Sequence, residues 1–545
     1  MIISYGTIEF PQTEAEKSAS LGLQGIMSSR MAARCGLALL TSALLSGSLP
    51  PLNWGWLAWV ALTPLLLACS GLTSLRAAAL GLLSGLAAAY GTMYWIFEVP
   101  AFGILHFLLG ASYLALYPTI WCVGIAWMIR AGVTVTLPAT ALWVVLDYVR
   151  SHAGFLAFPW GTLAQTQHQN LAILQVATVA GEYGVTCIVA LGSAAIAGMI
   201  VQRAWRNALC AGIILLLTHA FGALVLWTEH PLPTIRLAAV QPNIPVGRLA
   251  TLEGRRTNFD HLERLTKAAS AMRPALIAWP ETAIAGNVQA NPVLAAELQT
   301  LVQNVGTPIV LGVSEVEKLS LRDDRGETRR RAYNSAYLLA PDLPLAGPYH
   351  KRILMPFGEY MPLERFVSWP AWVGERGYDR ASGNRPQLFS LPDGTIFSVL
   401  ICWESLFSGL SRESVAEGAR LLVQLNNPAW FGRSAASQQQ SLSSVLRAVE
   451  NRVPVLIASN TGPSQLIDAY GRIIVSSSTL FAPDVVVGDV APGQKSTLYT
   501  RAGDWFVWVL LVTSLLTIIR IGRGGEEDPT GAGLRRRQVM KRRTS

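Results

Sequence analysis

The sequence predicts a multi-pass α-helical membrane domain of about eight spans joined to a soluble α/β domain. Three observations predict this fold class. Hydrophobic residues make up 51% of the 545 residues, and charged residues make up only 14%. Apolar stretches of about 20 residues, the length that a bilayer requires, follow one another in the first part of the chain and recur once near its end. A chain of this length is also long enough for more than one domain.

The membrane domain is expected over residues 33–228, with seven spans. A polar lead-in precedes it at 1–32, which lacks the basic start and apolar core of a secretory signal. An eighth helix is expected at 504–522, with its apolar run at 505–519, and a basic tail at 523–545. The seven predicted spans are 33–49, 54–71, 77–96, 104–128, 132–149, 171–201 and 207–228.

Positive charge indicates how these spans are oriented. Cytoplasmic loops of membrane proteins carry an excess of Lys and Arg, and here the second, fourth and sixth connections carry them. We therefore expect both termini in the cytoplasm and the soluble domain on the outer face. The last 26 residues carry eight basic and three acidic side chains. Beside an apolar segment this indicates a membrane flank rather than a nucleic-acid site. The basic loop residues are Arg76, Arg130, Arg203 and Arg206.

The soluble domain is expected over residues 229–500, where short strand-like runs alternate with helix-patterned stretches. This interleaving predicts a layered α/β domain with catalytic groups at strand ends. Helices are predicted near 257–272 and 437–452. The predicted strands are 234–244, 275–282, 307–316, 333–341, 395–404, 419–427, 453–460 and a turn-containing run at 464–477.

Cys402, in "SVLICWESLF" (398–407), differs in setting from the other cysteines. Membrane cysteines usually pack as small hydrophobic residues. On the outer face Cys402 has no partner for a disulfide within its own domain, so it is either a buried core residue or a nucleophile. These grounds alone leave both readings open. The five cysteines within apolar spans are Cys35, Cys69, Cys122, Cys187 and Cys210.

Two charged residues suggest chemistry around that thiol. Glu281, in "IAWPETAI", follows an apolar strand and is shielded by Trp279, so it is a candidate general base, although a Glu after Pro also commonly starts a helix. Lys351, in "YHKRILMPFGEYMP", is a candidate cation for a thiolate or an oxyanion, or a surface charge. A base, a cation and a nucleophile are the minimum set for acyl transfer through a thioester.

The motifs "WPET", "K…PFGEYMP" and "CWES" resemble, in this order and spacing, the Glu-Lys-Cys triad of the nitrilase (carbon-nitrogen hydrolase) superfamily. Together with the predicted spans, the chain from about residue 35 to 520 resembles the apolipoprotein N-acyltransferase family. Further matching motifs are "FPW" (158–160), "GEYGVT" (181–186), "VQPNI" (240–244), "YNS" (333–335), "NNPAWFG" (426–432), "RAVENRVPV" (447–455) and "NTGPSQLID" (460–468).

The resemblance implies an αββα nitrilase sandwich on a bundle of eight helices in the bacterial inner membrane. It implies transfer of an acyl chain from a phospholipid, expected to be phosphatidylethanolamine, to the α-amine of a diacylglyceryl-cysteine apolipoprotein. Glu281 would act as base, Lys351 would stabilise the tetrahedral intermediate and Cys402 would carry the thioester. A monomer without cofactor is expected, and no metal-ligand spacing is apparent. Supporting or substrate-binding roles fall to Glu359, Trp403, Glu404, Asn426 and Trp430.

The chain departs from the family pattern at three places. Trp403 stands where the family commonly has Tyr, and Pro428 replaces the acid of the usual Asn-Asp-x-Trp-Phe-Gly motif. The Lys-Trp pair that often follows "QPNI" is absent. These departures leave the triad intact and bear on lipid binding and substrate preference.

Two other functions are compatible with parts of the pattern. A membrane-anchored nitrilase-type amidase would share the triad and admit water to the thioester, but seven spans are more than an anchor needs. A non-catalytic binding or transport protein would leave Cys402 dispensable. The predicted spans contain few of the ionisable residues that transport paths usually require.

Overall fold

The computed structural model describes residues 14–524 except 101, 323–327, 365, 371–378 and 495. The predicted basic tail therefore lies almost entirely outside the described residues. The first part of the chain forms nine helices within the described residues. They are α1 Glu14–Gly47, α2 Ala58–Ala61, α3 Thr63–Cys69, α4 Ser74–Met93, α5 Ile104–Arg130, α6 Thr136–Ser151, α7 Leu171–Leu174, α8 Ala177–Gln202 and α9 Trp205–Trp227.

The number of eight predicted spans is not confirmed. Four helical segments of the described chain are long and apolar enough to cross a membrane, and two shorter apolar helical stretches are Gly55–Cys69 and Trp505–Ile519. The predicted first span is the last part of α1, which begins much earlier, at Glu14. The four long segments are Ser74–Glu98, Ile104–Arg130, Ala177–Gln202 and Trp205–Trp227.

Two predicted spans are interrupted where the backbone departs from an α-helix. Stretch 54–71 is divided into a 3₁₀ turn and the short helices α2 and α3, with Pro64 in the first turn of α3. Proline is tolerated there because its missing N–H has no partner within the helix. Stretch 171–201 is divided into α7 and α8, and α8 is kinked at Gly181, whose φ of 63° is left-handed. Hydropathy does not reveal either break, since all these segments are apolar.

The soluble part alternates strands and helices, as predicted. Its strands are β1 Ile235–Gln241, β2 Leu276–Ala278, β3 Ile284–Ala285, β4 Ile309–Arg322, β5 Thr328–Ala340, β6 Leu343–His350, β7 Asp379–Arg380, β8 Leu388–Ser390, β9 Ile396–Ile401, β10 Leu421–Asn426, β11 Val455–Ser459, β12 Gln465–Ile467, β13 Ile473–Ser476 and β14 Asp484–Val490. Its helices are α10 Leu252–Ser270, α11 Pro292–Val305, α12 Ser408–Ala416 and α13 Ala436–Asn451, followed by α14 Leu498–Ala502 and α15 Trp505–Gly524.

Two sheets form the centre of this part. One has the order β14-β1-β2-β4-β5-β6, with β3 beside β4 and β7 beside β5, and the other has the order β13-β12-β11-β10-β9-β8. Apolar side chains from the inner faces, such as Leu237 and Val310 of the first sheet and Val399 and Leu456 of the second, form one buried core. A second core lies under α10 and α11, so the layers are helix, sheet, sheet and helix.

The sequence analysis missed several elements of these sheets. Strands β6, β8 and β14 and helix α11 were not predicted. Strand β14 contains two buried valines, Val486 and Val490, among mostly half-buried positions, and it is held by its antiparallel pairing with β1, far away in the sequence. Such pairing is a tertiary interaction, and the strand propensity of the local sequence does not predict it.

Helix α13 joins the soluble part to the membrane helices. Its Val445, Leu446 and Val449 pack in one core with Ile173 and Val185 of α7 and α8. The outer helix layer of the second sheet is therefore also the surface on which the membrane helices pack. This places the end of β9, and Cys402 with it, close to that junction.

Candidate active site

The three predicted catalytic residues lie together, each directly after a strand. Glu281 follows β2, Lys351 follows β6 and Cys402 follows β9, so both sheets contribute. The Lys351 Nζ atom lies 3.6 Å from the Glu281 Oε1 atom. Lys351 is 2% exposed and Glu281 is 7% exposed, whereas Cys402 is partly exposed. A buried cation and carboxylate beside a partly exposed cysteine are suited to a covalent reaction at sulfur.

Glu281 is held by two donors and a close backbone approach. Asn334 Nδ2 donates to Glu281 Oε1 at 2.6 Å, and the backbone N–H of Asn427 donates to Oε2 at 2.9 Å. A Cβ atom at Gly312 of β4 would lie 2.4 Å from the Pro280 carbonyl oxygen and 2.7 Å from the Glu281 Cα. Glycine is therefore required there for the strands to bring this carboxylate into place.

Lys351 forms its shorter ion pair with Glu359, at 2.9 Å from Oε2. Burial opposes the lysine charge, but Glu359, Glu281 and Cys402 together outweigh burial and raise the pKa of Lys351. Burial likewise opposes ionisation of Glu359, yet Lys351 and Arg380 hold the pKa of Glu359 below its usual value. The pair is therefore fully charged at neutral pH, and Lys351 is a fixed positive charge in the site.

Cys402 has an unusual backbone. Its φ of 55° is left-handed, a conformation that is uncommon for a residue with a side chain and is concentrated at functional sites. Gln440 Nε2 of α13 lies 3.8 Å from the Cys402 sulfur, and Gln424 Nε2 donates to the Cys402 carbonyl at 3.3 Å. Burial, and after it the Glu281 charge, raise the pKa of the thiol despite the opposing effect of Lys351. The resting sulfur is therefore protonated, and a base has to remove its proton during the reaction.

Glu404 supports the backbone rather than pairing with Lys351. Its carboxylate accepts from the N–H groups of Arg352 at 2.5 Å, Ile353 at 3.1 Å and Ile401 at 2.7 Å. The Tyr349 hydroxyl also donates to it, at 2.8 Å. One buried carboxylate thus joins the segment around Lys351 to the turn that carries Cys402, which fixes the distance between the two.

Trp403, Asn426 and Trp430 have different surroundings. Trp403 is 4% exposed and packs against Phe158 of the membrane part and against Phe407. Asn426 ends β10 and its Oδ1 accepts from Gln424 Nε2 at 2.9 Å, so it belongs to the group of hydrogen bonds that includes the Cys402 carbonyl. Trp430 is 50% exposed and makes no hydrogen bond to the triad within the described residues.

Sequence reasoning missed four residues that hold the site: Asn334, Asn427, Gln440 and Arg447. Asn334, Asn427 and Arg447 were inside motifs noted for the family resemblance, and that was the available signal, but their roles depend on contacts across the fold. Arg447 is fully buried. It donates to the carbonyls of Ser405 and Leu406, just after the nucleophile, at 3.3 Å and 3.0 Å.

Comparisons with known proteins agree with this architecture. The family model described as carbon-nitrogen hydrolase matches residues 236–497, and the model described as apolipoprotein N-acyltransferase N-terminal domain matches residues 41–195. A curated apolipoprotein N-acyltransferase of Geobacter metallireducens is 34% identical over 493 residues, covering 87% of this chain and 92% of the relative. The chain belongs to the apolipoprotein N-acyltransferase family. A second member, from Gloeobacter violaceus, is 30% identical and covers 86% of this chain and 90% of the relative.

A solved structure is also similar to about half of this chain. The crystal structure of an amidase from a Nesterenkonia species covers 49% of this chain and 92% of its own, with 18% identity and a TM-score of 0.36. The family membership and the match to the carbon-nitrogen hydrolase model support a nitrilase-like α/β fold for the soluble part.

Proposed function

We propose that this protein N-acylates apolipoproteins, transferring an acyl chain from a membrane phospholipid to the α-amine of an N-terminal diacylglyceryl-cysteine. The observation that carries the proposal is the group formed by Glu281, Lys351 and Cys402 in a chain that also matches the family's membrane domain. The apolar helices and the family membership are consistent with a place in the bacterial inner membrane. The proposed donor is phosphatidylethanolamine.

The first half of the reaction forms a thioester. Glu281 takes the proton of the Cys402 thiol, and the sulfur attacks an ester carbonyl of the donor lipid. The carbonyl oxygen becomes an oxyanion, which the fixed charge of Lys351 stabilises. When this intermediate collapses, the C–O bond of the ester breaks, and the leaving lysophospholipid oxygen receives the proton from Glu281. No oxidant or external energy source is needed, because a thioester retains the acyl-transfer potential of the ester.

The second half of the reaction consumes the thioester. The α-amine of the acceptor attacks the thioester carbonyl, and Lys351 again faces the oxyanion. Glu281 takes a proton from the nitrogen, the C–S bond breaks, and the departing sulfur recovers that proton. Because the same base and cation serve both halves, the two substrates can use one site in turn.

The junction with the membrane helices supports a lipid donor. Trp403 packs with Phe158, Trp160 and Phe431 in a core that includes Trp95, and Cys402 packs against this core, so apolar aromatic rings lie beside the sulfur and would border the approach of a lipid to it. Rings of this kind exclude water, and water is the reactant that would turn the enzyme into an amidase or lipase. We place this approach on the outer face of the membrane, with both termini in the cytoplasm.

The decisive experiment uses the purified full chain and a phospholipid labelled in one acyl chain, without acceptor. Intact-mass and peptide mass spectrometry should find the label on Cys402, and a diacylglyceryl peptide should then remove it as an N-acylated product. Cys402→Ala should give no adduct, and Cys210→Ala, at an exposed cysteine away from the site, should behave like the wild type. Release of the label as free fatty acid would indicate an amidase-like hydrolase. Transfer by the Cys402→Ala protein would refute the thioester mechanism.

A further inference from the structure

An open cleft adjoins the nucleophile on the side facing the membrane helices. Its volume is about 660 Å³, and Trp403, the neighbour of Cys402, forms part of its wall. Gly154, Phe155 and Ala157 of the membrane part line the opposite side. They lie in the segment just after helix α6 ends, so the cleft opens at the level where membrane helices give way to the soluble layers.

The cleft has a strongly positive lining. Arg331, Arg352 and Arg380 all face it, and no Asp or Glu is among the described residues that line it. Three guanidinium groups in one cleft produce a local positive potential that attracts anions. Arginine also presents five N–H donors in a planar fork that fits phosphate oxygens.

The ion pairs of two of these arginines leave donors for a ligand. Arg352 uses one terminal nitrogen, Nη2, in its 2.6 Å contact with Glu413. Arg380 Nη1 lies 3.8 Å from Glu359 Oε1 and makes no hydrogen bond with the described residues. Arg352 is 14% exposed and Arg380 is 28% exposed at the side chain. Both side chains are partly exposed and line the cleft, and because Arg380 Nη1 itself is buried, a ligand would meet the other nitrogens of that guanidinium group.

The rest of the lining is apolar, so the cleft is amphipathic. Ile353, Leu354, Trp403 and Phe407 border it beside the arginines. A glycerophospholipid has the matching arrangement, an anionic phosphodiester separated by a three-carbon glycerol from the acyl ester. Free inorganic phosphate would use the arginines but would leave the apolar walls without a partner.

We propose that this cleft binds the phosphodiester of the donor phospholipid through Arg352 and Arg380, with Arg331 adding to the potential, and so places the acyl ester at Cys402. This inference rests on the proposed function, since it assigns the anionic group of the lipid donor to the cleft beside the candidate active site. It makes the phosphate a recognition element, and it predicts that an acyl ester without phosphate is a poor donor.

The test compares two donors with the same acyl chains, phosphatidylethanolamine and diacylglycerol, in the full chain. Thioester formation at Cys402 is measured by mass spectrometry without acceptor for the wild type, Arg352→Gln and Arg380→Gln. Each substitution should lower kcat/KM for phosphatidylethanolamine by about tenfold or more, because a hydrogen bond to a charged group contributes at least that factor. The slower reaction with diacylglycerol should lose much less, and the part that it does lose with Arg380→Gln reflects the contribution of Arg380 to keeping Glu359 ionised. The matched control is Arg248→Gln, at an exposed arginine outside the cleft, which should not change either rate.

A second readout separates this inference from the proposed function. Binding of the two lipids to Cys402→Ala is measured by native mass spectrometry, which requires no chemistry. We expect Cys402→Ala to retain phosphatidylethanolamine better than diacylglycerol, and the double variant with Arg380→Gln to lose this preference. That result would support lipid binding by the cleft even if the wild type formed no thioester. Three results would overturn the assignment. They are an equal loss of binding for both donors, no loss of binding in either arginine variant, and displacement of the lipid by millimolar inorganic phosphate.

Discussion

Arg447 provides the sharpest test of how the soluble and membrane parts are held together. Its guanidinium lies 2.7 Å from Glu450 on the same helix, α13, and 3.2 Å from Glu182 on α8. All three side chains are 2% exposed or less. Glu450 Oε1 also accepts from the Glu182 backbone N–H at 2.9 Å, next to the kink at Gly181. One arginine therefore compensates two buried carboxylates, one from each part.

Replacing Arg447 by Met should destabilise the protein by about 3–5 kcal/mol, the usual cost of removing one partner from a buried ion pair. Methionine retains much of the side-chain volume but leaves two buried carboxylates without a cation. The substitution also removes both hydrogen bonds that Arg447 Nη1 donates to the carbonyls of Ser405 and Leu406, just after Cys402. We therefore expect thioester formation to slow even at temperatures where the variant remains folded.

The measurement is reversible unfolding of the purified protein in mixed micelles, for Arg447→Met and for the triple variant that also carries Glu182→Gln and Glu450→Gln. The triple variant should recover much of the lost stability, because no unpaired charge then remains buried. Arg236, in an ion pair with Asp489 whose side chains are about half exposed, is the control, and Arg236→Met should unfold close to the wild type. A cost below about 1 kcal/mol for Arg447→Met, or a triple variant no better than the single one, would refute the reasoning.

Three further predictions concern the triad. The rate at which iodoacetamide alkylates Cys402 should still rise about tenfold per pH unit at pH 9. Burial and Glu281 raise the pKa of the thiol, and below that pKa the fraction of reactive thiolate grows with pH. A rate that reaches a plateau below pH 8 would contradict this. Lys351→Met should slow thioester formation by a factor of about 10²–10³ in single-turnover assays, as expected for loss of oxyanion stabilisation, and an unchanged rate would remove Lys351 from the mechanism. Gly312→Ala should reduce acyl transfer while Cys402 remains alkylatable, since the new Cβ displaces the Glu281 backbone; full activity would show that this close approach is dispensable.

The junction explains why the soluble fold and the membrane helices form one enzyme. Helix α13 carries Gln440 toward the Cys402 sulfur at one point and Arg447 toward Glu182 at another. Its remaining buried face packs on α7 and α8. Cys402, the proposed nucleophile, is therefore contacted by a helix that itself packs on the membrane part. A soluble fragment of this chain would lose that support.

The sequence by itself determined the broad organisation of this protein. Hydropathy separated a membrane part from an α/β part, because burial in a bilayer and burial in a sheet require different lengths of apolar chain. Motif order indicated Glu281, Lys351 and Cys402 as the candidate triad. Glu281 and Cys402 stand at strand-like runs that the local pattern predicts, whereas Lys351 was indicated by its motif alone. The neighbouring carboxylates Glu359 and Glu404 were also found in this way.

Only the tertiary structure decided how these residues are held and how the membrane helices are divided. Asn334 lies 53 positions from Glu281 in the sequence, and the Asn427 backbone donor lies 146 positions from it. Arg447 reaches Glu182 across the boundary between the two parts. Hydrogen bonds and ion pairs form between atoms that folding brings together, and the local pattern that predicts a strand or a span has no information about a partner so distant. The kink at Gly181 is decided in the same way, by packing against Tyr499, whose ring occupies the position that a side chain there would need.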